Sequence, residues 1–358
     1  LQEYPIEAAQ ALVTGEFATG PVRHALAAGW TWARDVGWRG DYVDSAPVES
    51  SFAAPLRAPF APIFAARDQY RSAVTRQDGA FVSNTLGFGR VDVVLGLRSQ
   101  RLRTENFRFT GVRSARYDAR ATTPTVAVVW RPADALSLYA SRIEALERGG
   151  TAPASAANAG EVFGPLESEQ IEVGAKWSAR DDLLLTLALF DVDKGLEYLD
   201  PASRRFVQDG LQEHRGVEFT VVGRLAPRLE VSLGGLVMDT TAERTGNVAI
   251  DGRRPAGVPE RKFTAYASYE FASLAGFALN AGVERVDDIA FDANNARFVP
   301  ARTLYTAGAR FATTALGAPS TWRLTIENLT DERYWAAASG SLYLGTPRTV
   351  KLSAEFAL

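Results

Sequence analysis

Alternation of apolar and polar residues runs through nearly the whole chain, and no other feature restricts these 358 residues more. Successive side chains of a strand point to opposite faces, so period-two hydropathy predicts strands with one apolar face. Val217, Phe219, Val221, Gly223 and Leu225 share one face, with Glu218, Thr220 and Arg224 on the other. Leu229, Val231, Leu233, Gly235 and Val237 repeat the pattern, as do Phe263, Ala265, Ala267, Tyr269 and Phe271 against Lys262, Thr264, Tyr266, Ser268 and Glu270. At the end of the chain Val350, Leu352, Ala354, Phe356 and Leu358 oppose Lys351, Ser353 and Glu355.

The pattern predicts about fifteen strands, over 8–18, 22–38, 77–88, 91–104, 120–131, 135–147, 168–179, 183–194, 206–225, 228–240, 259–271, 275–287, 303–314, 320–331 and 347–358. Many reach the roughly 9–11 residues that a tilted strand needs to cross a bilayer. Tight turns such as Ala18-Thr19-Gly20-Pro21, Arg131-Pro132-Ala133-Asp134, Ala179-Arg180-Asp181-Asp182 and Leu225-Ala226-Pro227-Arg228 alternate with loops expected to hold about eleven to forty residues. A soluble sandwich has no reason to collect its short turns at one end. An outer-membrane barrel does, with short periplasmic turns, long extracellular loops and an apolar band between aromatic girdles. Phe17, Phe88, Trp130, Trp177, Phe271, Phe311, Trp322 and Phe356 lie near the short-turn ends, where such a girdle belongs. The expected class is therefore all-β, an antiparallel transmembrane β-barrel.

Composition agrees. A polar lumen and hydrated loops leave mean hydropathy near neutral, here -0.10. There is no cysteine, which excludes disulfides, thiolate metal sites and thiol nucleophiles. The two histidines, His24 and His214, are far apart and read as satisfied or solvated side chains rather than ligands. A net charge of -3 argues against a nucleic-acid partner. No run of eighteen apolar residues is present, and Leu1 to Gln10 carry neither the basic nor the apolar part of a signal peptide. The first residue is not Met, so the chain is expected to begin inside a longer protein. An odd strand count points the same way, because bacterial single-chain barrels have an even number.

Several segments resemble the C-terminal barrel portion of TonB-dependent outer-membrane receptors, especially those for ferric siderophores. Asn328-Leu329-Thr330-Asp331-Glu332-Arg333-Tyr334-Trp335 is similar to the family's near-terminal "NL-x-[ND]-x-x-Y" segment, and Gly345-Thr346-Pro347-Arg348 to the "G-x-P-R" that opens its last strand. Pro165-Leu166-Glu167-Ser168-Glu169-Gln170-Ile171-Glu172-Val173-Gly174-Ala175-Lys176 resembles a mid-barrel motif, and His214-Arg215-Gly216-Val217-Glu218 the "x-x-G-x-E" that follows it. The resemblance implies about 15 of an expected 22 strands over residues 1–358, with the N-terminal plug domain and first strands absent from this chain. It implies no enzyme activity and no cofactor, with iron present only as ferric-siderophore cargo. The implied partners are a ferric siderophore, the TonB-ExbB-ExbD complex through the plug, outer-membrane lipid and the barrel-assembly machinery. One departure is the terminus Phe356-Ala357-Leu358, where such chains usually finish on an aromatic residue.

No catalytic motif is found. Gly87-Phe88-Gly89-Arg90 lacks the third glycine and the helix of a dinucleotide loop and reads as a hairpin turn, while the calcium-loop start Asp191-Val192-Asp193 meets Ala202 where glutamate is required. Asn328-Leu329-Thr330 matches a glycosylation acceptor only formally. A receptor for bulky, often anionic complexes needs aromatic surfaces and arginine in its outer loops. The candidates are Phe60, Phe64 and Tyr70, beside Phe52, in the 39–76 loop, Tyr198 and Arg204, beside Arg205, in the 195–205 loop, and Tyr334, Trp335 and Tyr343 in the 332–346 loop. The alternative for each ring is packing between loops. For the whole chain the alternatives are another TonB-dependent cargo (cobalamin, haem, nickel or a saccharide), a passive porin-like channel, or a soluble all-β protein.

Overall fold

The computed structural model describes residues 2–40, 49–56, 69–315, 317–338 and 341–357. Its body is one antiparallel meander. After a two-residue strand β1 (Gln2–Glu3), the chain forms β2 (Ile6–Thr19), β3 (Val22–Gly40), β4 (Gln69–Phe88), β5 (Val91–Phe107), β6 (Arg113–Ala133) and β7 (Leu136–Glu147). Next come β8 (Leu166–Arg180), β9 (Leu183–Leu199), β10 (Phe206–Ala226), β11 (Leu229–Glu243), β12 (Arg261–Glu270) and β13 (Phe277–Val286). Short strands β14 (Ile289–Ala290) and β15 (Phe298–Val299) precede β16 (Arg302–Ala315) and β17 (Ala318–Glu327). A second small pair, β18 (Trp335–Ala338) and β19 (Ser341–Leu344), precedes the last strand, β20 (Thr349–Phe356).

All fifteen expected strands are present, each paired with its neighbours in the meander. The five short strands were not foreseen, and several boundaries differ. β4 starts at Gln69 rather than 77 and β6 at Arg113 rather than 120, while β17 ends at Glu327 rather than 331. Not every outer connection is long: those between β5 and β6 and between β9 and β10 span only 108–112 and 200–205. These strands run on past the apolar zone as projecting hairpins, where an outward face of charged residues no longer shows period-two hydropathy.

Register gives every strand two distinct faces. One face carries Phe88, Leu86 and Val82 on β4 opposite Val91, Val93 and Leu97 on β5, and Leu95 then lies opposite Val126 on β6. It continues through Trp177, Val173 and Ile171 on β8, Leu185, Leu187 and Leu189 on β9, and Val217, Phe219 and Val221 on β10. On the last strands it holds Phe311, Trp322, Leu324, Leu352 and Phe356. These large apolar side chains stay exposed, with Leu189 at 55% and Leu352 at 71%. An apolar face this continuous has a physical use only against lipid.

The opposite face is polar and ion-paired, with Lys351 on Glu327 (2.6 Å), Arg323 on Glu355 (3.0 Å), Lys194 on Glu147 (2.7 Å) and Arg131 on Asp92 (2.6 Å). It is the lumen side. On it, Tyr139 lies over Gly174, where a Cβ would come 2.6 Å from the ring, and donates to Glu172 at 2.5 Å. The Phe190 ring covers Gly216 in the same way, so two motif glycines mark places where an aromatic ring crosses the inner wall. The accessible surface, 21665 Å², exceeds the about 14,000 Å² expected for a compact globule of this mass, as a single-layer sheet requires.

Among the described residues β2 pairs with β3 alone and β20 with β17 alone, so these two strands are the edges of the described sheet. Because fifteen antiparallel strands separate them inclusively, both edge strands run from the long-loop end toward the short-turn end.

Candidate functional site

The long connections 148–165, 244–260, 287–301 and 328–348 gather at one end of the sheet. They form two packed blocks. In the first, the loop before β8 docks on the β9–β10 hairpin: Ala157 N–H donates to the Arg204 carbonyl at 2.7 Å, and Asn158 exchanges side-chain bonds with the Phe206 backbone at 2.8 and 2.9 Å. Arg205 reaches Glu161 at 3.3 Å, and the Phe163 and Phe206 rings meet edge to face. In the second block Val286, Ile289 and Val299 make a small apolar nucleus that Phe52, Phe291, Trp335 and Leu342 cover. Arg254 bridges its loops, binding Glu260 at 3.2 Å, the Asp288 carboxylate at 3.0 Å and the Asp288 carbonyl at 2.8 Å, with its guanidinium over Phe298.

The two terminal motifs form one staple. Asn328, 5% exposed and in the left-handed region that Asn tolerates, accepts from Glu332 N–H at 2.8 Å and donates to the carbonyls of Glu332 and Thr346 at 2.9 and 3.0 Å. Asp331 accepts from Arg348 N–H at 3.0 Å. Residues 328–332 are thereby fixed to 346–348, which sets the start of β20 and swings Tyr334 under the loops. Asn328 is thus a buried turn residue.

Beneath this staple a cavity of 390 Å³ opens on the inner wall. Thr264, Tyr266, Glu284, Thr306, Glu327 and Tyr334 line it, contributed by four strands and the 328–348 connection. Arg302 stacks on the Tyr334 ring at 5.0 Å and reaches Glu284 at 3.5 Å, and Lys262 reaches the same carboxylate at 3.6 Å. Two phenol rings beside paired cations and carboxylates offer stacking faces, donors and acceptors in one concave space. Among the described residues no group of three or more His, Cys, Asp or Glu side chains has metal-binding geometry. His24 stacks on Phe17 and bonds Asn84 at 3.1 Å, and His214 bonds Thr240 at 2.7 Å.

The candidate residues do not converge on one spot. Phe60 and Phe64 lie outside the described residues. Tyr70 sits at the outer end of β4, half-buried and opposite Arg39. Tyr198, at the outer end of β9, is held against Gly246, and burial with the Asp209 carboxylate pushes its phenol up to about 12. Arg204 stands exposed at the tip of its turn, and Tyr343 is 59% exposed on the β18–β19 hairpin. Trp335 packs in the loop nucleus and donates Nε1–H to the Ser51 carbonyl at 2.8 Å, so its ring serves loop packing. Among the described candidates only Tyr334 joins the cavity. Tyr266, Glu284 and Arg302 were not singled out from the sequence, although their place on the polar phase of β12, β13 and β16 is a legible signal for inner-wall residues.

Two loop carboxylates set an acid limit on this architecture. Arg297, with the backbone N–H groups of Ala296 and Arg297, holds Asp292 below the usual carboxylate range, and the Ser203 hydroxyl with the N–H groups of Ala202 and Ser203 does the same for Asp200. A lowered folded pKa stabilises above the unfolded value and is lost as pH falls through the folded one. Amide exchange in 292–297 and 200–205, corrected for intrinsic rates, should therefore stay constant between about pH 5 and 7 and accelerate below about pH 4, with the β8–β11 strands unaffected.

Comparison with known proteins gives a consistent result. Residues 8–329 match the family model described as TonB dependent receptor-like, beta-barrel. The ferrichrome receptor FcuA of Yersinia enterocolitica is 29% identical over an alignment of 356 residues that covers 95% of this chain and 47% of that protein. The ferrichrome outer membrane transporter/phage receptor of Escherichia coli K12 is 28% identical, again over 95% of this chain and 47% of its own length. Among solved structures, BauA, the ferric preacinetobactin receptor of Acinetobacter baumannii, superposes with a TM-score of 0.82 at 29% identity, covering 99% of this chain and 54% of BauA. The chain spans about half the length of the relatives it matches.

Proposed function

The chain belongs to the TonB-dependent receptors, through their β-barrel, and from that premise we propose that it is the C-terminal barrel portion of an outer-membrane receptor that takes up ferric siderophores. Such a protein is a transporter and not an enzyme, and iron is its cargo rather than a resident cofactor. The observation that carries the reading is the cavity lined by Tyr266, Tyr334 and Glu284, with the Arg302 guanidinium stacked on the Tyr334 ring and paired with Glu284 beside it, on the lumen side under the packed outer loops. Its rings suit the organic shell of a siderophore, and its arginine suits the anionic or carbonyl oxygens. Arg204 and Tyr343, exposed in the outer connections, would make the first contacts. The relatives named for ferrichrome and ferric preacinetobactin support this cargo class over cobalamin, haem, nickel or a saccharide.

The edges of the described sheet, β2 and β20, support the domain reading. Unpaired backbone groups facing hydrocarbon cost several kcal/mol each, so both edges need partners in a membrane. The two edge strands run in the same direction, so antiparallel closure takes an odd number of further strands between them. The resemblance supplies these from an N-terminal segment that also carries the plug and its contact with the TonB-ExbB-ExbD complex. Phe356, outward-facing and edge to face with Trp322 at 5.9 Å, keeps the aromatic register that the barrel-assembly machinery would read.

Titrating the purified full-length protein with ferrichrome, ferrioxamine B and a ferric catecholate, followed by intrinsic fluorescence, tests the cargo. Saturable binding of at least one is expected, weakened about tenfold per ring in Tyr266→Ala and Tyr334→Ala, as loss of one stacked ring worth about 1.4 kcal/mol implies. Binding of cobalamin or haem in place of all three would overturn the reading.

A further inference from the structure

We propose that β6 and β7 part above Pro124, which makes the outer part of β3–β6 a hinged panel that opens and closes a side entrance to the lumen above the membrane. The ladder between these two strands is short. It ends where Thr125 lies opposite Ile143, although β6 stays paired with β5 as far as Arg113 and β7 stays paired with β8 as far as Glu147. Continued in the same register, the ladder would set Pro124 opposite Glu144 and Thr122 opposite Leu146.

The backbone explains why the ladder stops there. Arg131 N–H donates to the Arg90 carbonyl at 2.8 Å, on the β5 side. Backbone groups alternate in direction along a strand, and the β5–β6 register runs unbroken from Trp130 to Ala115, so the even-numbered residues of β6 present theirs to β7. The Ala135 carbonyl, just before β7, accepts from Ser178 N–H at 2.8 Å on the β8 side, so the even-numbered residues of β7 face β6. Val126 and Arg142 are therefore the last hydrogen-bonded pair, and the next would join Pro124 to Glu144. Proline has no N–H, and its ring fills the place of the missing donor. Beyond it, the backbone groups of Arg116, Asp118, Arg120 and Thr122 on β6 and of Glu144 and Leu146 on β7 point into the seam. Among the described residues none of them has a backbone partner across it. The seam starts beside the Arg142–Glu169 ion pair at 2.6 Å, at the upper margin of the apolar belt, where water satisfies groups that hydrocarbon would not.

The 148–165 connection lies across this seam but is tied to one bank. Besides its Ala157 and Asn158 bonds to the β9–β10 hairpin, its Gly164 carbonyl accepts from Gln208 Nε2 at 2.7 Å, and its Gly150 N–H donates to both Glu197 carboxylate oxygens at 2.8 and 3.0 Å. Toward the panel, among the described residues, it has one long hydrogen bond, from Asn106 Nδ2 to Thr151 Oγ1 at 3.4 Å. Its Gly164 also meets the Tyr117 phenol, where a Cβ would come 3.3 Å from the oxygen. The hydroxyls of Tyr117 and Thr104, residues directly opposite each other on the lumen face of β6 and β5, are buried with no hydrogen-bond partner. A buried hydroxyl without a partner destabilises the state that buries it, and opening returns these groups to water. The connection therefore stays with β7–β10 while the panel swings.

The test uses the full-length protein in lipid nanodiscs, with spin labels on Thr110→Cys at the β5–β6 turn and Ser203→Cys at the β9–β10 turn. Distances from double electron–electron resonance are expected to fall into two populations. Pro124→Thr restores the missing donor and should leave only the shorter one, and Tyr117→Phe, which removes a buried unpartnered hydroxyl, should reduce the longer one about tenfold. Amide exchange gives a second readout: N–H groups of 116, 118, 120 and 122 should exchange about tenfold faster or more than those of 117, 119 and 121, which bond β5. A single population in the otherwise native protein, two populations that Pro124→Thr leaves unchanged, or equal protection at even and odd positions would overturn the proposal. Should Pro124→Thr not fold, Tyr117→Phe and the exchange pattern decide it. The proposal concerns the barrel wall and not the cargo, so these outcomes are the same whichever ligand the receptor binds.

Discussion

Replacing Leu187 by arginine should abolish efficient insertion into lipid vesicles while the same residue at Thr186 is tolerated. Leu187 lies on the outward face of β9, between Ala175 and Phe219, and is 51% exposed although it is a leucine. Arginine near the middle of a lipid-facing barrel wall costs about 2–4 kcal/mol. Thr186 points the other way, between Lys176 and Thr220, where a cation meets the polar lumen. Heat-modifiable migration of the full-length protein after refolding reads the difference. Similar yields for the two variants would mean that the faces have been assigned the wrong way round.

Arg254→Ala should free the second loop block without loosening the barrel. The guanidinium is 19% exposed, ion-pairs with Glu260 of its own loop and bonds Asp288 of the next, while Asn295 pairs with the Arg254 backbone at 2.9 and 2.8 Å. Loss of charged hydrogen bonds, with Asp288 left short of its partner, costs about 2–3 kcal/mol of local stability. Amide protection in 287–301 should fall about thirtyfold or more, by the usual factor of ten per 1.4 kcal/mol, while β12 and β13 keep theirs. Unchanged exchange in those loops would show that the apolar nucleus of Val286, Ile289 and Val299 holds the block unaided.

Much of the fold was legible because a membrane barrel writes its inside and outside into alternate residues. The order Val217, Phe219, Val221 against Glu218 and Thr220 is enough to place β10 and to choose its lipid side. The strand extensions were not legible. Beyond the belt the outward face of β4–β6 turns to Asp78, Arg101, Arg103 and Asp118, so both faces are polar and the alternation disappears while the hydrogen-bonded ladder continues. The short strands β14, β15, β18 and β19 escaped for a related reason: a two- to four-residue strand inside a loop is too brief to show a period.

The site was legible only in part. Aromatic residues in outer loops were the right material, but sequence does not say whether a ring faces a ligand or a neighbouring loop. Trp335 and Tyr334 are adjacent, yet one fills the loop nucleus and the other lines the cavity. That cavity joins residues from Thr264 to Tyr334, a distance along the chain over which only tertiary register determines contact. The near-terminal motif was recognised by resemblance, and its physical role became visible only when Asn328 was seen to bond Thr346 and Asp331 to bond Arg348.

The central claim is that one face of the meander meets lipid and the other an aqueous lumen, and nitroxide scanning of residues 185–190 in the full-length protein, reconstituted in lipid vesicles, tests it most directly. Labels at 185, 187 and 189 should collide with oxygen and those at 186, 188 and 190 with a water-soluble nickel chelate, giving two accessibility profiles of period two and opposite phase. Profiles in phase with each other, or chelate access at every position, would contradict the account.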